Sequence, residues 1–489
     1  MSEMPTDHPG ARDAEGASAP LALDRRAFVG AAAAGALGLA LGGKAHAEGP
    51  KPRPTGSPRN VIFMVSDGMS IGALQLADRV HEIEHDGAPS RWMTLMADPA
   101  STTGLVSTYA DRSEVTDSAA ASSAWSTGRR YLLRRLNIDT NDVAYEPIFS
   151  RCDERGLARG LVSTARLTHA TPAGFLVNHR NRNAEREIAT QMLERGCDVM
   201  LGGGGGYLTP KLLDQFGLGA SVLRDASQLA AFNAESEGPM IGVFSESHMA
   251  YELDRSLTAE PSLAEMSRAA LARLGHTVER TDRGFLLQIE AARVDHAAHV
   301  NDIGSVVRDQ LVFDETIGAV LDWMSGRDDT LLIVTTDHGN ASPSLTVYHE
   351  RGLEGLTRAM TAERSFEWLM EELKGPDGRF APERVVQAGA LIRRATGIEL
   401  AREELATLGR ALGGQPVAPA DLRDAPPLVL ASLLSNHTGI NFVSGNHTAE
   451  YVVQTAIGPG ADQLPTFGHL TDTHDVVAGL LDLPPARAL

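Results

Sequence analysis

Residues 285–299 read Phe285-Leu-Leu-Gln-Ile-Glu290-Ala-Ala-Arg-Val-Asp295-His296-Ala-Ala-His299. A nearly continuous apolar run of strand length ends on a carboxylate. An Asp and a His then stand four apart, a spacing that a helix brings to one face. A strand without polar alternation is covered on both sides, as in a parallel sheet. The same construction recurs. Asn60-Val-Ile-Phe-Met-Val-Ser66 is followed by Asp67, and Thr330-Leu-Leu-Ile-Val-Thr335 by Thr336-Asp337-His338-Gly339. Gly160–Ser163 and Asp198–Leu201 are further apolar runs, and helical patterns cover 118–126, 184–195, 262–274, 303–325 and 383–395. The expected fold is therefore α/β, a three-layer sandwich around a central, mostly parallel sheet. Ligands of such sheets bind beyond the carboxyl ends of the strands. Here three separate runs deliver Asp67, Glu290 and Asp337-His338 to that edge.

The chain of 489 residues carries a net charge of −19 and has no run of Lys and Arg. A nucleic-acid partner is excluded on that ground, since the overall field repels a polyanion. An acidic protein acting on an anion needs local positive charge, which metal ions supply. At the N-terminus, Arg25-Arg26-Ala27-Phe28 precedes an apolar stretch, Ala31 to Leu41, and then Ala45-His46-Ala47. This has the form of a cleavable twin-arginine signal peptide over 1–47. The stretch is too short to span about 30 Å of hydrocarbon, so the expectation is export without a membrane span. Residues 48–59 are Pro-rich and read as a linker, leaving 60–489 as the main domain. Residues 343–436 contain no further strand-plus-ligand pattern and read as an insertion. Gly202 to Gly206 lacks phosphate-loop spacing and reads as a flexible turn after a strand. Cys152 and Cys197 are the two cysteines; whether they pair is open.

Several local patterns carry chemistry. In Glu114-Val-Thr-Asp117-Ser118-Ala-Ala-Ala, Ser118 stands at the start of an Ala-rich helix that Gly128 can end. An anion there would lie at the positive end of the helix, although a plain N-cap serine fits the same residues. Asp295 and His299 suit zinc, and Glu290 offers a hard oxygen that suits magnesium. His447, in Gly445-Asn446-His447, is alone no more marked than His437.

Taken in order, Asp67-Gly68-Met69, Asp117-Ser118-Ala119, His169-Ala170-Thr171-Pro172, Glu290/Asp295/His299, Asp337-His338-Gly339 and Gly445-Asn446-His447 resemble the alkaline phosphatase family. The resemblance covers roughly residues 58–480. It implies hydrolysis of small phosphate monoesters through a phosphoserine at Ser118, which a metal-activated water then opens from the opposite side. It implies two zinc ions, one held by Asp295, His299 and His447 and the other by Asp67, Asp337 and His338. It implies one magnesium, held by Asp67, Thr171 and Glu290. Arg182 falls at the phosphate-clamping position, with Arg180 as the fallback. His169 and His296 stand where other members have Asp and Lys, and they are expected to contact magnesium-bound water or phosphate rather than metal. The resemblance further implies that 343–436 forms a crown over the active-site mouth and that the protein is a homodimer. The twin-arginine export machinery would handle the precursor, giving a periplasmic or secreted enzyme. The rival is a phosphodiesterase or another hydrolase of the same superfamily. A sulfatase is disfavoured, because Ser118 is followed by Ala-Ala-Ala rather than x-Pro-x-Arg.

Overall fold

The computed structural model describes residues 56–489 apart from 219–221, 282, 376–377, 379, 381, 416 and 418–424. The expected signal segment 1–47 and most of the linker 48–59 lie outside the described residues. No helix among the described residues is long and apolar enough to cross a membrane.

The apolar runs form strands. In chain order they are β1 (Asn60–Ser66), β2 (Thr102–Ser107), β3 (Ala158–Arg166), β4 (Val199–Gly203), β5 (Met240–Val243), β6 (Phe285–Ala291) and β7 (Thr330–Thr335). With Val452–Ile457 and Phe467–His469 they make one nine-stranded sheet. Its order is Phe467–His469, β2, Val452–Ile457, β7, β1, β6, β3, β4, β5. Val452–Ile457 runs antiparallel to both neighbours, and every other pairing is parallel. The glycine run is less of a turn than its composition suggests. Gly202 and Gly203 end β4, and the turn begins only after them.

The central strands are apolar throughout because each serves two cores. Ile62, Met64, Leu287, Ile289, Leu332 and Val334 point to one face, where the helices Ile71–Glu84, Leu263–Thr281 and Ile303–Met324 cover them. Val61, Phe63, Val65, Leu286, Leu331 and Ile333 point to the other, beneath Ser118–Thr127, Glu185–Arg195 and Leu470–Leu480. Burial of each such side chain contributes about 1.5–3 kcal/mol. Both faces of one strand are therefore stabilising, and a polar alternation would sacrifice one core. The helices Phe366–Leu373, Pro382–Thr396, Arg402–Leu412 and Pro426–Thr438 gather a separate apolar cluster that includes Leu369, Ile392, Leu408 and Leu430. Cys152 and Cys197 are free thiols, both buried in the second core. Burial pushes each of them up to about 12.

Register fixes the height of the ligand-bearing ends. Val65 of β1 pairs with Glu290 of β6 and with Thr335 of β7. Asp67 and Asp337 consequently stand at the same height, two residues beyond the level of Glu290 near the end of β6. Adjacent strands lie about 4.8 Å apart, and β1 is the middle one. Asp67 is thereby placed to be shared between partners from β6 on one side and β7 on the other.

Candidate active site

Ser118 is the first residue of its helix, and the cap is its neighbour. The Asp117 side chain accepts the backbone N–H of Ala120 at 3.0 Å, while Gly128, left-handed at φ 70°, closes the other end. The Ser118 hydroxyl is thus released from capping. It is buried, and its Oγ lies 3.3 Å from His338 Nε2.

Around it converge four buried carboxylates, those of Asp67, Glu290, Asp295 and Asp337. Burial and the neighbouring Asp337, Asp295 and Glu290 charges raise Asp67 well above the usual carboxylate range. Burial raises Glu290 to about 7. Burial also opposes ionisation of Asp295, but His299, His447 and His338 outweigh it and hold that carboxyl low. At Asp337 burial is likewise outweighed, by His338. Asp67 Oδ1, Glu290 Oε1 and Asp337 Oδ2 are buried without a hydrogen-bond partner. So much buried negative charge is unfavourable unless cations or protons offset it.

The histidines point the same way. His299 Nδ1 donates to Gly445 O at 2.8 Å, and His447 Nδ1 donates to Thr116 O at 2.9 Å. A carbonyl only accepts, so each Nδ1 carries its proton and the Nε2 atoms are the nitrogens turned toward the cluster. Those two nitrogens lie 3.1 Å apart, with Asp295 Oδ2 3.4 Å from one and Asp295 Oδ1 3.6 Å from the other. Electron-rich atoms arranged so closely fit a shared zinc-like cation. Three groups have ligand atoms all within 4.8 Å of one another: Asp295, His338 and His447; Asp67, Asp337 and His338; and Asp67, His169 and Glu290. His338 is thus shared between the first two, with His299 beside the first. The chemistry of this donor set fits divalent cations, with His338 and His169 in the groups where the sequence reading placed His299 and Thr171. Thr171 Oγ1 reaches Asp67 Oδ2 at 3.3 Å, and Ser163 Oγ donates to Glu290 Oε2 at 2.5 Å.

Arg182 spans the opening. Its Nη1 is 3.1 Å from Asp117 Oδ2, and its Nη2 donates to His169 Nε2 at 2.8 Å. Arg180 instead pairs with Asp142 at 3.2 Å and is exposed. His437 bonds Glu404 at 3.0 Å, away from the cluster. His169 is itself a member of the third group, with Asp67 and Glu290. His296 is one ring further out, its Nδ1 3.0 Å from Arg293 Nη1, and burial lowers it to about 3. A cavity of about 480 Å³ opens onto Ser118, Arg182, His299 and His447.

The family model for alkaline phosphatase matches residues 58–482. The chain belongs to the alkaline phosphatase family. It is 24% identical over 434 residues to alkaline phosphatase 4 of Bacillus subtilis (strain 168), covering 86% of this chain and 88% of that protein. It is 30% identical over 362 residues to streptomycin-6-phosphate phosphatase of Streptomyces griseus, covering 62% of this chain and 78% of the relative. Among solved structures, the alkaline phosphatase of Thermus thermophilus superposes with a TM-score of 0.80 at 30% identity, covering 92% of this chain and 97% of that one. This alkaline phosphatase is thus a phosphoric monoester hydrolase, with donor groups for divalent metal at the carboxyl edge of its sheet.

Three contributors to the site escape the sequence. Asn340 Nδ2 donates to Asp295 Oδ1 at 2.7 Å and fixes that carboxylate. It also pairs with His447 in a two-residue antiparallel ladder, which carries His447 across to the cluster. His248 packs on His296 with ring centroids 4.2 Å apart. Glu185 holds the Arg166 guanidinium with two contacts of 2.8 Å. None of these belongs to a spaced motif, so no signal in one sequence separates them from ordinary surface residues.

Gly68 gives a first test. Its φ of +69° favours glycine, and an added Cβ would strike the Asp295 side chain, while its N–H donates to Asp337 Oδ1 at 3.0 Å. Gly68→Ala is expected to cost about 2 kcal/mol or more of stability and to lower metal retention. A urea midpoint and a metal content equal to those of the wild type would contradict this packing account.

Proposed function

We propose that this enzyme hydrolyses phosphate monoesters to alcohol and inorganic phosphate by way of a phosphoserine at Ser118. The observation that carries the reading is the uncapped, buried hydroxyl of Ser118, set among Asp67, Asp337 and His338 at a helix N-terminus. Asp295, His299 and His447 would hold one zinc and Asp67, Asp337 and His338 a second, while Asp67, Thr171 and Glu290 would hold a magnesium beside His169 and His296. Cations bound there would lower the proton affinity of the hydroxyl and offset charge on the transferring phosphoryl group.

The remaining steps belong to the chain's own residues. Ser118 Oγ, relieved of its proton, attacks phosphorus in line, and the ester P–O bond breaks as the alcohol leaves with a proton. Water attacks the phosphoserine from the opposite side, inorganic phosphate departs and Ser118 regains its hydroxyl. Arg182 grips two non-bridging oxygens with its planar fork. Asp117 and His169 already hold that fork at the opening, so little side-chain freedom is lost on binding. The helix N-terminus favours the anion throughout.

The same reading takes 343–436 as a crown over the active-site mouth in a homodimer. It takes 1–47 as a twin-arginine signal that sends the folded precursor to the periplasm or medium. The N-terminal motif and the family resemblance support it. The relative named for streptomycin-6-phosphate supports a monoester substrate.

Comparing p-nitrophenyl phosphate with its bis ester tests the class. The monoester is expected to turn over far faster, and elemental analysis to find two zincs and one magnesium per chain. Faster cleavage of the diester would favour the phosphodiesterase alternative.

A further inference from the structure

The substrate cavity has a second cationic feature that the proposed chemistry does not use. Arg134 lines it beside Ser118 and Arg182. The backbone of Arg134 is left-handed, with φ 69°, a conformation that glycine occupies at lower cost. That backbone is tied to the catalytic machinery on both sides. Its N–H donates to Asp117 Oδ2 at 3.0 Å, and its carbonyl accepts the Arg182 N–H at 2.8 Å. The side chain is another matter. Arg134 is exposed, and among the described residues no hydrogen bond or ion pair engages its guanidinium.

Nearby acids do not satisfy it. The Asp117 carboxylate is taken by Arg182, and the Glu185 carboxylate by Arg166. In a protein of net charge −19, an unpaired arginine at the mouth of an anion-binding cavity is a local reversal of the field. A solvated surface arginine usually sits on a helix face or a mobile loop. This one hangs from a fixed turn at the entrance, with Leu133, 39% exposed, beside it. A monoester held by Arg182 must extend its leaving group outward, past this entrance.

We propose that Arg134 forms an anion subsite at the cavity mouth, selecting phosphate monoesters whose leaving group carries a second anionic group. The inference rests on the monoesterase reading. The phosphoryl end is gripped by Arg182, and the second anion, a carboxylate or another phosphate, is met by the free guanidinium. Because Arg134 is exposed, its contribution is screened by salt and acts as selectivity added to the reaction rather than as part of bond breaking.

Two substrates that differ only at the far end make the test: glycerol 3-phosphate, with a neutral leaving group, and 3-phosphoglycerate, with a carboxylate in place of the terminal alcohol. At low ionic strength the wild-type enzyme is expected to favour 3-phosphoglycerate in kcat/KM by about threefold, the size of one exposed ion pair. The preference is expected to shrink as salt is added. Arg134→Gly, which suits the left-handed turn and so spares the fold, is expected to remove most of the preference, and Arg134→Lys to keep part of it. A wild-type ratio of one or less, or the same ratio in Arg134→Gly, overturns the subsite. Turnover of p-nitrophenyl phosphate by the wild type decides the parent reading separately. An enzyme that cleaves that ester without preferring 3-phosphoglycerate refutes only the subsite, and one that cleaves no monoester refutes both.

Discussion

Replacing Ser118 by Ala is expected to lower monoester hydrolysis by at least on the order of 10³-fold, because it removes the nucleophile itself rather than a group that tunes it. The fold should tolerate the change. Ser118 sits at the first position of its helix, Asp117 supplies the cap, and the lost hydroxyl has a single side-chain contact, at 3.3 Å to His338. Alanine is also a better helix former than serine. The variant should therefore retain its thermal midpoint and its metal content, so that a loss of rate reads as chemistry. Acid quenching during turnover supplies the second readout. The peptide containing Ser118 should carry a phosphoryl group in the wild type and none in the variant. A Ser118→Ala enzyme working at near wild-type rate, or a phosphoryl group found on another residue, would sink the phosphoserine mechanism.

Why this serine could be singled out at all follows from how the fold was written in the sequence. β1, β6 and β7 were legible because strands buried on both faces are apolar throughout, and a carboxylate or His at the end of each such run is conspicuous. The site inherits that legibility, since Asp67, Glu290 and Asp337-His338 are the charged residues at the carboxyl ends of three neighbouring strands. Neighbourhood itself was not legible. The order β7, β1, β6, which places Asp67 between its partners, is a property of long-range pairing. β2 escaped for a different reason: Thr102–Ser107 lies near the sheet edge and alternates buried with accessible residues, so it resembles a polar connection. Val452–Ile457 shows no ligand at its end to draw notice. His447 was recognised through the family motif, but the ladder with Asn340 that brings it to Asp295 joins residues more than a hundred apart. The choice between Arg182 and Arg180 likewise needed geometry. Two residues apart in an irregular segment, they face different partners, Asp117 and Asp142.

Chelation of the metals is expected to destabilise the protein as well as silence it. The chain brings Asp67, Glu290, Asp295 and Asp337 into one buried cluster, against His299, His338 and His447 as the facing histidines. Without cations, burial and the Asp337 charge drive Asp67 and Glu290 toward their protonated forms, and the Asp295 charge draws a proton onto His299, raising it to about 9. The burial of Asp67 and Glu290 is a cost of the folded state that the unfolded chain does not bear. A cation bound to the native state at a thousand times its dissociation constant stabilises it by about 4 kcal/mol. Three such sites give about 12 kcal/mol, and the unfolding entropy of a chain this long converts that to roughly 10 °C in Tm. Differential scanning calorimetry before and after removal of metal by a chelator, then after return of zinc and magnesium, reads this directly. Zinc alone should restore most of the activity, and magnesium should add further stability through Asp67, Thr171 and Glu290. An apo-protein that melts at the temperature of the loaded enzyme would mean that the cluster offsets its own charge by protonation, and that the proposed metal centre is not what holds these acids together.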